Sequence, residues 1–195
     1  MPSKRRKAPA KNLDSAFREI FSSHLILHEF IQMFLSRLLE SGDIREGDIT
    51  IHNTDFLSSD LRSKRPDVLF SVKTKGEELY VYILIEHQSY KDPNMPYRIY
   101  DYVGRILGYV IHQNPKKSSR KSFRYPPVIP VVFYTGRGRW TVERDIREKF
   151  LQIGGYEGYL PSLRYMVIEL SRLDREWLFE VDTACLLYTS PSPRD

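Results

Sequence analysis

The chain has 195 residues, 41% of them hydrophobic and 13% aromatic, which is enough apolar material for one sizeable core and too little length for two full domains. A single cysteine, Cys185, excludes an internal disulfide framework and suits a reducing compartment. No apolar run approaches the roughly 18 residues of a membrane span, and the N-terminus is too basic for a secretory signal, so a cytoplasmic protein with no membrane partner is expected.

The net charge of +5 is unevenly placed. "MPSKRRKAPAK" (1–11) carries Lys4, Arg5, Arg6, Lys7 and Lys11 without an acid, and "QNPKKSSRKSFRYPP" (113–127) carries Lys116, Lys117, Arg120, Lys121 and Arg124 without one. Two flexible cationic arms thus flank a mildly acidic body. Such arms are commonly solvated and partnerless, and they also suit loose, salt-sensitive attraction to a phosphate backbone.

After the basic tail (1–11), one domain is expected over 12–185. A short "NLDSAFREIF" turn or helix leads into an amphipathic helix with Leu27, Phe30, Ile31, Phe34, Leu35 and Leu38 at i, i+3, i+4 spacing and Gly42 at its C-terminal cap. "GDITIHN" (47–53) alternates as a first strand. "DVLFSVK" and "LYVYILIEHQ" are two more strands, joined by "TKGEE", whose glycine favours a hairpin.

Asn94 is placed to cap and Pro96 to open a second helix, with Ile99, Val103, Ile106, Leu107 and Val110 on its buried stripe and Arg98, Asp101, Tyr102 and Arg105 opposite. "VIPVVFY" (128–134) has the continuous apolar run of a strand buried on both faces, and "RYMVIEL" (164–170) resembles it. The order defines an α/β fold, one mixed sheet covered by helices. The last ten residues, "LLYTSPSPRD" (186–195), break the style of the rest and are expected to be non-native read-through.

In the hairpin "RPDVLFSVKTKGEELYVYILIEHQS" (65–89), acids stand at the ends of two apolar runs. A loop of Gly76 and Glu77, glycine first as a type II′ turn prefers, gives partner numbers summing to 153 and sets Asp67 opposite Glu86, with Cβ atoms roughly 5 Å apart. Gln88 joins that face and His87 leaves it. Both carboxylates ionise at neutral pH and repel, so a cation belongs between them. A divalent metal fits, since hard ions take carboxylate oxygens, and so does a side chain such as Arg98, Arg65 or Lys64.

"RPDVLF…LIEHQS" resembles the PD-(D/E)XK nuclease signature. With "DSAF" (14–17), "DLRSKRPDVLFSVK" (60–73), "YVYILIEHQS" (80–89), "MPYRIYDY" (95–102) and "PVIPVVFYTG" (127–136), the chain resembles the Rpn family of recombination-promoting nucleases, also known as YhgA-like transposases. The resemblance implies an α-β-β-β-α-β core and Mg²⁺-dependent (or Mn²⁺-dependent) endonucleolytic cleavage of DNA, linked to recombination or mobile elements. It makes Asp67 and Glu86 metal-binding catalytic acids and sets Gln88 where the superfamily's lysine usually stands. A neutral glutamine can orient water but lends no charge.

Arg98 is the candidate for a flanking phosphate, alternatively a structural partner of the acids, and Lys116, Lys117, Arg120 and Lys121 are candidate nucleic-acid contacts. DNA is the expected partner, and self-association stays open. Two alternatives to the nuclease are a catalytically degenerate DNA-binding or assembly module and transposase-type strand transfer. The bland readings are packing for Tyr80, Tyr82, Tyr97, Tyr100 and Tyr102, loop caps for Asp55 and Asp60, and surface or helix-side places for His24, His28, His52 and His112. Glu29 is a weak candidate for an auxiliary acid.

Overall fold

The computed structural model describes residues 21–36, 44–57, 67–74, 77–86, 91–134, 136 and 138–172, with Asp67 and Glu86 described by their backbone alone. The basic tail, the 186–195 segment, Gln88, His87, Lys64, Arg65, Asp60, Leu38 and Gly42 lie outside the described residues.

Runs rich in Val, Ile, Leu and aromatic residues become five strands: β1 (Ile49–His52), β2 (Asp67–Thr74), β3 (Glu77–Glu86), β4 (Val128–Tyr134) and β5 (Met166–Glu169). They form one sheet in the order β1-β2-β3-β4-β5. The first three strands pair antiparallel, and β3, β4 and β5 run parallel. Because a parallel neighbour cannot be reached by a tight turn, the chain between β3 and β4 carries the long helix α2 (Met95–Gln113). The expected α-β-β-β-α-β order is present, with β5 added at the edge.

Side-chain alternation divides the strands into two buried faces. Val68, Phe70, Val81, Ile83, Val131 and Phe133 pack against Leu27, Phe30, Ile31 and Leu35. Those four lie on α1 (His24–Phe30) and on the π-helical turn Ile31–Leu35 that continues it, as the sequence spacing predicts. Phe21 fills the same layer, with ring centroids 5.6 Å from Phe30 and 6.1 Å from Phe133 at steep angles. On the other face Leu69, Tyr80, Tyr82, Val132 and Tyr134 meet α2 through Met95, Ile99, Val103, Ile106 and Val110. Burial on both faces explains why β3 and β4 are nearly continuous in apolar residues.

Three local expectations are corrected. Asn94 occupies the cap position of α2 but its side chain makes no capping bond; its backbone N–H donates to Asp92 Oδ1 at 2.9 Å instead. Tyr102 is not on the solvent side, because its ring lies 5.3 Å from that of Tyr82 on the sheet, whereas Asp101 and Arg105 do form an exposed-side pair at 2.9 Å. The basic segment after α2 is not an open arm: Pro115–Ser118 forms a helical turn, α3, with Ser118 N–H donating to Asn114 O at 2.8 Å. No helix among the described residues is long and apolar enough to cross a membrane.

Candidate active site

The β2–β3 ladder closes on Thr74 and Glu77 and sets Asp67 opposite Leu84, so partner numbers sum to 151 rather than the expected 153. Lys75 and Gly76, which lie outside the described residues, are therefore the two that connect the strands in sequence. This register also makes Lys73 and Glu78 backbone partners. Asp67 and Glu86 do not face each other directly. The shift is two residues, however, and a shift of two preserves the face.

Positions 67, 69, 82, 84 and 86 all belong to the face covered by α2, as Leu69 and Tyr82 show. Asp67 and Glu86 are diagonal neighbours there, with Cα atoms roughly 7–8 Å apart. Two carboxylate-bearing positions at that spacing on adjacent strands offer oxygen donors of the kind hard cations take. Among the described residues no group of three or more His, Cys, Asp or Glu side chains is arranged to hold a metal.

Glu86 is the last residue of β3, in register with Tyr134, the last of β4, which is in turn in register with Glu169, the last of β5. A row thus runs across the carboxyl ends of three parallel strands, where α/β sheets commonly bind ligands. Glu169 was missed by sequence reasoning, although it ends the apolar run "MVIE" just as Glu86 ends "YVYILIE". Its side chain is 7% exposed, accepts the Trp140 backbone N–H at 3.0 Å, and has Arg144 and Arg172 at 3.7 and 3.6 Å.

The other candidates separate. Arg98 Nη1 donates to Asp92 Oδ2 at 3.0 Å and tethers the first turn of α2 to the loop before it. Lys116, Lys117, Arg120 and Lys121 are exposed at the far end of α2, roughly 28 Å from its start at 1.5 Å per residue. Asp55 is tied to Asn53, accepting from Nδ2 at 3.0 Å. Glu29 belongs to α1, which covers the opposite face of the sheet. His28 Nε2 is 2.8 Å from Ile44 O, and His52 Nε2 is 2.8 Å from Ser71 Oγ with its ring stacked on Tyr80. Tyr80 and Tyr82 are buried and Tyr102 packs on Tyr82, while Tyr97 is 62% and Tyr100 45% exposed, so packing accounts for Tyr80, Tyr82 and Tyr102 and not for the other two.

A mixed five-stranded sheet with helices on both faces, and two acids brought to one face by its central hairpin, is an α/β architecture compatible with a PD-(D/E)XK-like core. Sequence comparison gives the family. The chain belongs to the family described as "Putative transposase, YhgA-like", whose profile matches residues 11–189. It is 28% identical over 127 residues to "Recombination-promoting nuclease RpnD" of Escherichia coli O157:H7, covering 63% of this chain and 45% of the relative. It is 34% identical over 88 residues to "Recombination-promoting nuclease RpnA" of Escherichia coli K12, covering 45% and 28%. A third relative is "Inactive recombination-promoting nuclease-like protein RpnE" of the same strain, 33% identical over 89 residues and covering 45% and 27%. The chain spans less than half the length of these three relatives. No solved structure matches it.

Proposed function

We propose that this chain is the catalytic domain of a Mg²⁺-dependent (or Mn²⁺-dependent) DNA endonuclease acting in recombination or mobile-element biology. The observation that carries the reading is the register that brings Asp67 and Glu86 to one face as diagonal neighbours. The names of the relatives RpnD and RpnA support the reaction class.

Asp67 and Glu86 are the residues to hold the divalent ion. When bound, such an ion supplies Lewis-acid polarisation of the phosphodiester and acidifies water for in-line attack. Gln88, two residues beyond Glu86, is the residue to orient the attacking water by hydrogen bonding. Arg98 ties the first turn of α2 to Asp92 through Nη1, and any phosphate contact falls to the other donors of its guanidinium. Lys116, Lys117, Arg120 and Lys121 attract the nucleic-acid backbone far from the reacting bond and supply salt-dependent affinity.

The test is cleavage of supercoiled plasmid with Mg²⁺ and with EDTA, alongside Asp67→Ala and Glu86→Ala. Ion-dependent nicking by the native chain and none by either variant is the expected result; cleavage retained in both would sink the assignment. A second reading, a degenerate DNA-binding module, is favoured by Gln88 in the place of a lysine and by the inactive relative RpnE. It requires salt-dependent binding indifferent to Mg²⁺ and no cleavage.

A further inference from the structure

Glu169 is one carboxylate set between two guanidiniums. A buried carboxylate needs compensation, and the Trp140 backbone N–H at 3.0 Å already provides a charge-assisted hydrogen bond. Arg144 Nη2 and Arg172 Nη1 converge on its other oxygen, Oε1, at 3.7 and 3.6 Å, beyond hydrogen-bond length. Their side chains remain 52% and 56% exposed. One negative charge facing two positive ones leaves a net cation turned to solvent, and the donor forks are not consumed by the carboxylate.

Position sharpens this. Arg144 and Arg172 meet at Glu169, the last residue of β5, which stands in the row that contains Glu86. Two strand spacings separate Glu86 and Glu169, roughly 10 Å, about three nucleotides of axial rise along one strand. We propose that Glu169 is a positioning residue that presents Arg144 and Arg172 as a clamp for a nucleic-acid phosphate within about three nucleotides of the cleaved bond. The clamp rests on the nucleic-acid-binding part of the proposed function and goes beyond it. It is separate from the lysine-rich turn α3, and planar guanidiniums suit bidentate phosphate recognition.

The experiment is binding of a 5′-fluorescein-labelled DNA duplex, followed by anisotropy over a KCl series in EDTA so that cleavage does not intervene. The Arg144→Gln/Arg172→Gln double variant is expected to bind at least about tenfold more weakly at low salt. The slope of log affinity against log salt should shrink by roughly 2. Glu169→Gln retains an acceptor for the Trp140 N–H and removes a negative charge. Were Glu169 only a counter-charge, that variant would bind more tightly; as a positioning residue it binds more weakly, and this sign is the deciding readout.

Should Glu169→Gln fail to fold, the exposed arginine pair carries the test. An unchanged salt slope in the double variant overturns the clamp, as does a native chain that binds no duplex at any salt. Native binding without plasmid cleavage overturns the endonuclease and leaves the clamp standing. Cleavage with an unchanged slope does the reverse.

Discussion

Asp67 stands opposite Leu84 across the β2–β3 ladder, which leaves Glu86 one diagonal step away on the same face of the sheet. Two like-charged residue types set diagonally on one face are least costly with a cation between them. An ion that binds the native state and not the unfolded chain raises stability by about 2.7 kcal/mol at a hundred times its dissociation constant. MgCl₂ or MnCl₂ is therefore expected to raise the melting temperature of the native chain, and Asp67→Asn or Glu86→Gln alone to abolish the rise. In EDTA the variants should melt at or slightly above the native chain, because like-charge repulsion is relieved. An ion-dependent rise that survives in both variants would refute the shared site.

Gly136 lies where the chain leaves β4, and a Cβ placed on it would sit 2.5 Å from Tyr134 Oη and 2.6 Å from its ring. That ring cannot swing away, since Tyr134 is fully buried and packs against Trp140 at 5.2 Å between centroids. Gly136→Ala is predicted to destabilise the fold by about 1–3 kcal/mol through overpacking. Gly47→Ala, at a position with nothing within 4 Å of the added carbon, should stay within about 0.5 kcal/mol. Urea unfolding of both variants makes the comparison, and equal midpoints would contradict it.

Asp145 ties the segment after Trp140 to the start of β5. Its carboxylate accepts from Arg147 N–H at 2.9 Å, Leu163 N–H at 3.2 Å, Ser162 Oγ at 3.0 Å and Arg164 Nε at 3.2 Å. Burial alone pushes this carboxyl up, but these donors together outweigh it and hold the group below its ordinary value of 3.8. The unfolded chain then binds more protons than the native one below that value, so stability rises with pH there. The contribution is complete above the unfolded pKa and is lost as pH falls through the lower native one. Asp145→Ala should cost about 2–4 kcal/mol at neutral pH by stranding its donors, and should flatten the acid limb of the stability curve.

Tyr165 shows the opposite linkage. Burial raises its phenol from 10.0 to about 12, and the hydroxyl donates to the Glu143 carbonyl. Between those two values the native state keeps a proton that the unfolded chain has lost, so this contribution is present below pH 10 and disappears toward about 12. Tyr165→Phe is expected to lose about 1 kcal/mol with the hydrogen bond and to remove one late-titrating phenol from the phenolate absorbance curve. An unchanged curve would place the late phenol elsewhere.

Much of the scaffold was legible because burial writes itself into period. Val128–Tyr134 matches its expected bounds, and Ile99, Val103, Ile106 and Val110 lie on the buried side of α2 as their spacing requires. Register was harder. Lys75-Gly76 and Gly76-Glu77 are both plausible two-residue loops by composition, and only the tertiary ladder decides between them. The face shared by Asp67 and Glu86 survived that error because symmetric slips move in twos. Tyr102 was misplaced because an amphipathic ring carries no clear sign of which layer it joins. Glu169 escaped notice because nothing local marks a strand-terminal acid as a neighbour of Glu86, which lies 83 residues earlier in the sequence; that closeness exists only once β4 has inserted between them.

The change from antiparallel to parallel pairing at β3 gives the molecule a built-in order of assembly. The β1–β2–β3 meander closes over connections of 14 and two residues, whereas the β3–β4 pairing waits for the 41 residues from 87 to 127 to cross over, and pairing at larger sequence separation is slower. The row from Glu86 through Tyr134 to Glu169 is consequently finished last. Until the crossover closes, the antiparallel meander can stand while the row from Glu86 to Glu169 is still incomplete.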